Sequence, residues 1–234
     1  MILEQNGRQR RTVLRSYKLY VIRHGLTSAN KKGVYLGSTD ISLSEEGRQE
    51  IMSLTKHYEY PKVQKVYSSP LKRAVETAEI IYPNNLIENI DALRECSFGV
   101  FENRSIDELS KDLEYKSWID GNMKNSPKGG ETKEQFAKRV LNGFNYLMND
   151  MMKNRIYEAA LVGHSGVLSM ILYMFGMPRR TPLEWNMEPG GGYSLLTTAQ
   201  MWSRDNIFEV CDILPYGKCS NESSGFFNLD YEEV

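Results

Sequence analysis

The chain has 234 residues, which at roughly 100–200 residues per domain predicts one large domain, or a domain with a lid. Basic and acidic residues nearly balance, 29 against 30, so the formal charge is −1. This balance excludes a strongly basic nucleic-acid binder, although it leaves room for a local basic patch. Hydrophobic residues make up 41% of the chain, enough to form a core and to argue against general disorder.

Cysteine usage and the terminal segments indicate where the protein works. The cysteines Cys96, Cys211 and Cys219 form neither a disulfide framework nor a CxxC pair, which favours a reducing, cytoplasmic setting. The longest apolar stretch, Val167–Met177, is well short of the ~20 residues that a membrane span needs, so no membrane partner is expected. Residues 1–17 are rich in arginine but contain no apolar segment, and they are interpreted as a basic leader rather than a secretory signal.

Apolar runs and helix caps alternate in the first part of the chain. The run Lys18–Ile22 predicts a buried strand that ends at Arg23-His24-Gly25. Ser44 is the predicted cap of one helix, and Ser69-Pro70 is a serine cap followed by proline, a strong helix start. In chain order we predict a strand at 18–22, a loop at 26–42, a helix from Ser44 to about Tyr58, a strand at 63–67, a helix from Ser69-Pro70 to about Tyr82 and a weaker strand at 86–90.

A long amphipathic helix dominates the second part. Apolar residues recur at spacings of three and four between Phe136 and Met151, the pattern of one buried helix face. The further predicted elements are a helix at 106–119, a loop at 121–130, a helix at about 132–154, a strand at 159–162, a helix at 167–175 and strands at about 193–197 and 207–213.

Strands that alternate with helices predict an α/β fold. We expect three layers, with a mostly parallel central sheet and helices on both of its faces. Residues 18–214 form the predicted main domain. Residues 91–128 lack the strand–helix rhythm and are interpreted as a small inserted cap region over the site, and residues 215–234 as a loosely attached tail.

Two of the three histidines occupy the same kind of position, directly after a predicted strand. His24 and His164 each follow a predicted strand and enter a glycine-containing turn, whereas His57 lies near a helix end and is expected at the surface. Because ligands of open α/β sheets bind outside the carboxyl ends of strands, His24 and His164 should face the same crevice although about 140 residues separate them.

Two arginines share that sheet edge. Arg23 adjoins His24, and Arg73 lies in the first turn of the helix after the second strand. Arginine can grip an oxyanion through two N–H groups, so these residues predict a phosphate site. There a neutral imidazole could attack phosphorus, and a carboxylic acid, for which Glu95 is the best placed candidate, could protonate the leaving oxygen.

Sequence motifs strengthen this prediction. Leu19–Asn30 contains Arg23-His24-Gly25-x-Thr27-x-x-Asn30, which resembles the RHGxTxxN signature of the histidine phosphatase superfamily in its phosphoglycerate-mutase-like branch. Further segments resemble the family's motifs in the family's order, across about Lys18 to Ser194. They are Gly37–Asp40 with Leu43–Gly47, Tyr67–Ala74 with Thr77-Ala78, Leu93–Gly99 with Glu102, Gly129–Thr132 and Val162–Gly166.

The resemblance implies a role for each matched residue. His24 would be the nucleophile that becomes phosphorylated, and Glu95 would be the proton donor. The phosphoryl group would be bound by Arg23, Arg73 and His164, with Asn30 and Thr27 as further contacts and with N–H groups near Ser165 as additional donors. Neither a metal nor another cofactor is implied. The expected activity is metal-independent hydrolysis of small-molecule phosphomonoesters through a phosphohistidine.

Departures from the family pattern bear on the alternatives. Ala29 stands where mutases of the family usually carry tryptophan, and the insert between Glu95 and Gly129 is shorter than a mutase's. Both features favour a phosphatase, and the stretch Phe98–Glu102 is most similar to the alpha-ribazole and broad-specificity phosphatase branch. The alternatives are a 2,3-bisphosphoglycerate-dependent phosphoglycerate mutase and a catalytically weak binding protein on the same fold. A metal hydrolase has the weakest support, because two histidines without clustered carboxylates make a poor ligand set.

The partners expected from the sequence are small. We expect a small-molecule phosphate ester as substrate, no nucleic acid, and a monomer or homodimer. The identity of the ester is left open, because selectivity in the family lies in the variable cap.

Overall fold

A computed structural model describes residues 15–121 and 125–218. Most of the predicted basic leader, Cys219 and most of the predicted tail lie outside these ranges. The elements in chain order are β1 (Ser16–Arg23), α1 (Ser28–Lys31), α2 (Glu45–His57), β2 (Lys65–Ser68), α3 (Lys72–Ile81), β3 (Ile87–Asn89), α4 (Ile106–Leu109), α5 (Leu113–Asp120), α6 (Lys133–Lys153), β4 (Glu158–Gly163), α7 (Ser165–Phe175), β5 (Gly176–Met177), β6 (Gly192–Thr198), α8 (Ala199–Asp205) and β7 (Phe208–Leu214).

The described residues form a mixed, mostly parallel sheet of seven strands in the order β3-β2-β4-β1-β6-β7-β5. Strands β3, β2, β4 and β1 run parallel, whereas β6 is antiparallel to both of its neighbours, β1 and β7. The parallel half brings the carboxyl ends of β1, β2 and β4 to one edge, where His24 and His164 follow β1 and β4. The α/β fold class predicted from the sequence is confirmed.

Both faces of the central strands are buried, as expected for parallel strands between helical layers. Side chains alternate along β1: Leu19 and Val21 belong to one core cluster, and Tyr20 and Ile22 belong to the other. The first cluster packs against α6, α7 and α8, and the second against α2 and α3. Helices therefore pack against both faces of β1 and hold the strand in place.

Side-chain caps define the ends of the long helices. The Ser44 hydroxyl accepts a hydrogen bond from the Gly47 amide at the start of α2. Thr132 and Gln135 form a reciprocal capping box at the start of α6, which begins close to the predicted position of about residue 132. Such caps satisfy amides that the first helical turn leaves without partners.

The predicted cap region contributes most of a third, smaller hydrophobic cluster, although its first residues, Ala92 and Leu93, pack in the main core. The buried members of this smaller cluster are Phe101, Leu109 and Trp118, and Tyr35, Phe98 and Tyr115 pack against them. The Tyr35 and Tyr115 hydroxyls are 2.8 Å apart, which ties the segment after α1 to this cluster.

Two predicted elements differ from the structure because polar side chains cap new helices. The predicted loop at 26–42 contains α1, because Thr27 and Asn30 form a capping box there. The single helix predicted at 106–119 is broken into α4 and α5. Asp112 ends the continuity, since one of its oxygens accepts a hydrogen bond from the Glu114 amide while the other pairs with Arg104.

The predicted start of α3 is wrong by two residues. The Ser69 amide still belongs to the strand ladder, because it donates to the Val162 carbonyl at 3.0 Å. The helix begins only at Lys72, after Leu71, which provides no side-chain cap. Strand β5 and helix α8 are additional elements that the sequence patterns did not predict.

Within residues 15–121 and 125–218, no helix is both long enough and apolar enough to cross a membrane.

Candidate active site

His24 lies immediately beyond the end of β1, and its side chain is buried. Its amide donates to the Gly163 carbonyl at 2.9 Å, which extends the β1–β4 pairing to the histidine itself. The ring Nδ1 lies 2.7 Å from the Gly25 carbonyl oxygen. Because a carbonyl oxygen can only accept, Nδ1 carries the proton and Nε2 presents a lone pair.

Burial and charge keep this imidazole neutral. Burial lowers the pKa of His24 to about 3, and the positive charges of Arg73 and Arg23 act in the same direction. The Gly25 carbonyl opposes this shift without cancelling it. The His24 imidazole is therefore neutral at neutral pH, with Nε2 free of a proton and able to act as a nucleophile.

His164 faces His24 across the sheet edge. It follows β4 and occupies the position before the first residue of α7. The two imidazole centroids are 5.2 Å apart with an edge-to-face orientation. The structure thus brings together two residues that are 140 positions apart in sequence.

Ser69 contacts His164 and was missed as a site residue. Its hydroxyl oxygen lies 2.7 Å from Nε2 of His164 and also accepts a hydrogen bond from the Leu71 amide at 3.3 Å. The Ser69 hydroxyl can then donate a hydrogen bond to Nε2 of His164, and in that arrangement the ring proton of His164 is on Nδ1. The sequence signal was present in the Ser69-Pro70 pair, but that pair also matches an ordinary helix cap.

Arg73 is fully buried in the first turn of α3. Its Nη1 donates to the Thr39 carbonyl at 2.8 Å, and its Nη2 donates to the Gly37 carbonyl at 2.7 Å. Burial lowers the pKa of Arg73, while the charge of Glu95 opposes that shift. The guanidinium is thus held in one orientation by a loop from another part of the chain.

Arg23 is fixed by the segment that precedes β6. Its Nη1 donates to the Met187 carbonyl at 2.7 Å, and its backbone pairs with both Gly190 and Gly191. Gly190 has φ +74, a conformation that favours glycine, and its amide donates to the Arg23 carbonyl at 2.9 Å.

Three nitrogens around His24 are buried and have no hydrogen-bond partner within the part of the chain that the structure describes. They are Nε of Arg23, Nε of Arg73 and Nδ1 of His164. The two imidazole rings are 5.2 Å apart, and the charges of Arg23 and Arg73 lower the pKa of both rings. Buried polar groups are normally paired, so this cluster is suited to an oxyanion such as a phosphoryl group.

Glu95 reaches the site from the irregular segment that follows β3. One carboxyl oxygen accepts from the Cys96 amide at 2.9 Å, and the other accepts from the Gly166 amide at 3.0 Å in the first turn of α7. Burial raises the pKa of Glu95, although these two amides and the charges of Arg73 and Arg139 oppose the shift. A carboxyl that holds its proton more tightly is suited to donate it to a leaving group.

Glu102, the carboxyl in the same motif as Glu95, has a different environment. Burial alone would raise its pKa, but hydrogen bonds from Thr39, Ser38 and Phe98 outweigh burial and lower the pKa of Glu102. The ionised carboxylate holds the same loop that grips Arg73. Glu102 is thus an anchor for that loop, and the arrangement does not favour it as a proton donor.

Thr27, Asn30 and Ser165 are the remaining candidates. The Asn30 side-chain oxygen accepts from the Thr27 amide at 3.1 Å and from the Thr27 hydroxyl at 2.8 Å, so both residues cap α1. Ser165 is the first residue of α7, directly after His164. Contact between these residues and a phosphate stays a prediction.

No group of three or more His, Cys, Asp or Glu side chains that could hold a metal ion occurs in residues 15–121 and 125–218.

Comparison with known proteins identifies the class to which this fold and site belong. The sequence profile of the histidine phosphatase superfamily (branch 1) matches residues 19–207. This range includes every candidate residue named above and all the strands except β7 and the first residues of β1. The chain belongs to the histidine phosphatase superfamily, and it is an enzyme of the phosphatase class.

Individual relatives of known name include phosphatases and a mutase. A relative from Hydrogenobacter thermophilus, provisionally named phosphoserine phosphatase 2, is 30% identical over 161 residues, which are 66% of this chain and 76% of that protein. The adenosylcobalamin/alpha-ribazole phosphatase of Escherichia coli is 28% identical over 184 residues, 74% of this chain and 86% of that protein. The crystal structure of a phosphoglycerate mutase from Bacillus anthracis superposes with a TM-score of 0.68 at 20% identity, covering 85% of this chain and 92% of that one. At that identity the mutase shows a shared fold only.

Proposed function

We propose that this protein is a metal-independent phosphatase that hydrolyses small-molecule phosphomonoesters through a phosphohistidine on His24. The observation that carries the proposal is the cluster of Arg23 Nε, Arg73 Nε and His164 Nδ1, three buried nitrogens without hydrogen-bond partners in the described chain, beside a neutral imidazole. This arrangement supplies an oxyanion site and a nucleophile in the same place.

In the first step, Nε2 of His24 attacks phosphorus and the bond to the ester oxygen breaks. Arg23, Arg73 and His164 stabilise charge on the three oxygens that stay with the phosphoryl group. Glu95 gives its proton to the departing oxygen, so that an alcohol leaves instead of an alkoxide. The products are the free alcohol, a phosphohistidine and the Glu95 carboxylate.

In the second step, the Glu95 carboxylate takes a proton from water as the water oxygen attacks phosphorus. The bond between phosphorus and Nε2 breaks, and the electron pair returns to the imidazole. Inorganic phosphate leaves, His24 is neutral again, and Glu95 is protonated for the next cycle. The hydrogen bond from Nδ1 to the Gly25 carbonyl keeps the same tautomer throughout.

Two relatives suggest which esters to test first. One is named a phosphoserine phosphatase and the other an adenosylcobalamin/alpha-ribazole phosphatase. Phosphoserine and alpha-ribazole phosphate are small monoesters of alcohols. We propose that this protein also acts on small phosphate monoesters of alcohols, without assigning either compound as its substrate. The ranking of kcat/KM over O-phosphoserine, alpha-ribazole phosphate, sugar phosphates, phosphoglycerates and nucleotides identifies the substrate, and retention of activity in a chelator tests metal independence.

Phosphoglycerate mutase activity is the second candidate, since the fold is shared with a mutase. Ala29 and the short insert weigh against it, as the sequence indicates. Incubation with 3-phosphoglycerate, with and without 2,3-bisphosphoglycerate, separates the two reactions. A phosphatase releases inorganic phosphate in both cases, whereas a mutase yields 2-phosphoglycerate only with the bisphosphate.

Trapping the intermediate tests the chemistry directly. Brief incubation with labelled substrate followed by alkaline quench should leave acid-labile phosphate on His24. His24→Ala should abolish both the label and turnover, because no other group can accept the phosphoryl group in this scheme. The matched control is His57→Ala, since His57 is exposed on α2 and its ring forms hydrogen bonds with Ser53 of the same helix. Full activity of His24→Ala would refute the proposal.

A further inference from the structure

The segment that carries Glu95 is not part of a β-strand. Its backbone carbonyls accept hydrogen bonds from a single side chain, that of Arg139. After the short 3-10 turn Asp91–Leu93, the chain runs irregularly to Phe98. Arg139 of α6 reaches this segment: Nη1 donates to the Ala92 and Arg94 carbonyls at 3.0 and 2.8 Å, and Nη2 donates to the Glu95 carbonyl at 3.4 Å. The carbonyls on both sides of the Glu95 side chain are thus tied to one guanidinium.

Glu131 completes this arrangement from the other side. Its two carboxylate oxygens accept hydrogen bonds from Nε and Nη2 of Arg139, so the pair is bidentate. One of these oxygens also accepts from the Ser97 amide at 2.9 Å, and the Glu131 amide donates to the Ser97 carbonyl at 3.0 Å. Glu131 therefore orients Arg139 and also fixes the segment two residues beyond Glu95.

We propose that Arg139 and Glu131 are positioning residues that hold the Glu95 carboxyl against the first turn of α7, an inference that rests on the function proposed above. They act through Glu95 and have no direct role in binding the phosphoryl group. The guanidinium fork suits this task, because it can hold several carbonyls and a carboxylate in one plane, which an ammonium group cannot do.

The space around the carboxyl shows why its position must be fixed. A Cβ atom added at Gly166 would lie only 2.6 Å from one Glu95 carboxyl oxygen, so helix α7 approaches the carboxyl closely. Glu95 is thus gripped at its backbone by Arg139 and at its carboxyl by the Gly166 amide. Release of the backbone end would move the carboxyl away from the ester oxygen, and a displacement of about 1 Å can cost about 10²-fold in rate.

A purely electrostatic role for Arg139 predicts the opposite effect. Its positive charge lowers the pKa of Glu95, so removal of that charge would strengthen the hold of Glu95 on its proton. The acid form would then persist to higher pH, and turnover of esters with poor leaving groups would be retained or extended toward alkaline pH. Positioning predicts instead that this turnover is lost at every pH.

Leaving-group dependence in single and double variants tests the proposal. With the best alkyl phosphate found for the wild-type enzyme, Arg139→Met should lower kcat/KM by about 10²-fold, but p-nitrophenyl phosphate should be spared, because p-nitrophenolate leaves without a proton. In a Glu95→Gln background, Arg139→Met should cost no more than about a further twofold, since the residue through which it acts is already disabled. Equal losses on both esters, or the full loss in the double variant, would overturn the positioning role.

Two further variants keep the test decisive if Arg139→Met does not fold. Arg139→Lys retains the charge without the fork and should not rescue the alkyl phosphate activity, whereas full rescue would show that charge alone matters. Glu131→Gln keeps a similar shape but loses the ion pair, and its loss should also be confined to the alkyl ester. A melting curve for each variant establishes that it is folded.

Arg48→Met is the matched control, because Arg48 is also partly exposed and pairs with a single carboxylate, that of Glu76, at 2.7 Å. It should leave both activities unchanged. If the wild-type enzyme turned over no phosphate ester at all, the proposed function would fail. A wild type that is active but loses both esters equally in Arg139→Met would refute the positioning role alone.

Discussion

The two halves of the candidate site are held by different kinds of structure. His24 and His164 follow adjacent parallel strands, and the backbone pairing of β1 and β4 continues as far as the His24 amide. Glu95 lies in an irregular segment, where Arg139 and the Gly166 amide hold it. The half that we propose to bind phosphate, with His24, His164 and Arg73, is therefore built into the edge of the sheet and is called here the sheet-edge half. The half that we propose to transfer the proton, with Glu95, depends on a few hydrogen bonds. Leaving-group chemistry should consequently be separable from phosphate binding.

Substitution of the acid should separate the two halves most strongly. Glu95→Gln should lower kcat/KM for alkyl phosphates by about 10²–10⁴-fold, the usual contribution of general acid catalysis, and should affect p-nitrophenyl phosphate much less. Rapid-mixing measurement of phosphoenzyme formation with both esters checks this. Release of phosphate from the phosphoenzyme should also slow, because the same carboxylate activates water.

Glu79→Gln, an exposed change on α3, is the control for loss of a carboxylate and should be silent. If Glu95→Gln slowed phosphoenzyme formation equally with both esters, the acid would have to be another carboxyl, and the contrast between the two halves would not hold.

A conservative change in the sheet-edge half should affect every ester alike. Arg73→Lys keeps a charge but loses the fork that contacts the Gly37 and Thr39 carbonyls, so we expect kcat/KM to fall about 10²–10³-fold irrespective of the leaving group. Inhibition by vanadate should weaken in parallel, and the melting temperature should fall because Arg73 is fully buried. Arg48→Lys is the control, and unchanged vanadate inhibition of Arg73→Lys would place Arg73 outside the site.

Ser69 offers a milder test within the sheet-edge half. Ser69→Ala removes the hydroxyl 2.7 Å from Nε2 of His164 and should lower kcat/KM about fivefold, the loss expected for one hydrogen bond of about 1 kcal/mol. The loss should not depend on the leaving group. Ser169→Ala removes another buried hydroxyl, which contacts the Trp185 carbonyl, and serves as the control. Similar losses in both variants would mean that Ser69 has no specific effect on His164.

The burial of His24 should affect how the free energy of unfolding depends on pH. The unfolded chain protonates His24 near its ordinary pKa of 6.5, whereas the folded chain does so only near 3. As the pH falls from 6.5 toward 3, the unfolded state therefore gains protons that the folded state does not, and this contribution to stability is lost at up to about 1.4 kcal/mol per pH unit.

Urea unfolding between pH 7 and pH 4 measures this effect by comparison of variants. The wild type should lose more stability across that range than His24→Gln does, while His57→Gln should follow the wild type. Identical pH dependence of the wild type and His24→Gln would show that His24 is accessible to protons in the folded chain.

The contrast between the two halves also explains which features could be predicted from the sequence. The apolar run before Arg23-His24 predicted a buried strand, and the topology of parallel strands then placed His24 and His164 on one edge. Those inferences rest on periodic patterns that extend over many residues, which single contacts cannot easily override. The sheet order and the antiparallel pairing of β6 depend on long-range contacts and were not predicted.

Arg139 and Ser69 were missed for a physical reason. Arg139 contacts backbone carbonyls, which have no side-chain signature, and its helix shows only an ordinary amphipathic pattern. Ser69 resembles a helix cap because local sequence cannot reveal a partner 95 positions away. The break between α4 and α5 was missed similarly, since it depends on the pairing of Asp112 with Arg104.

The three buried nitrogens around His24 also link catalysis to the lifetime of the protein. In the proposed mechanism these nitrogens bind the oxyanion, and an anion that binds the folded chain alone stabilises it, by about 2.7 kcal/mol at a hundredfold excess over Kd. Inorganic phosphate, the product, is such an anion. Where phosphate accumulates, the enzyme should therefore turn over more slowly and at the same time unfold and be degraded less readily, so that product inhibition preserves a reserve of folded enzyme.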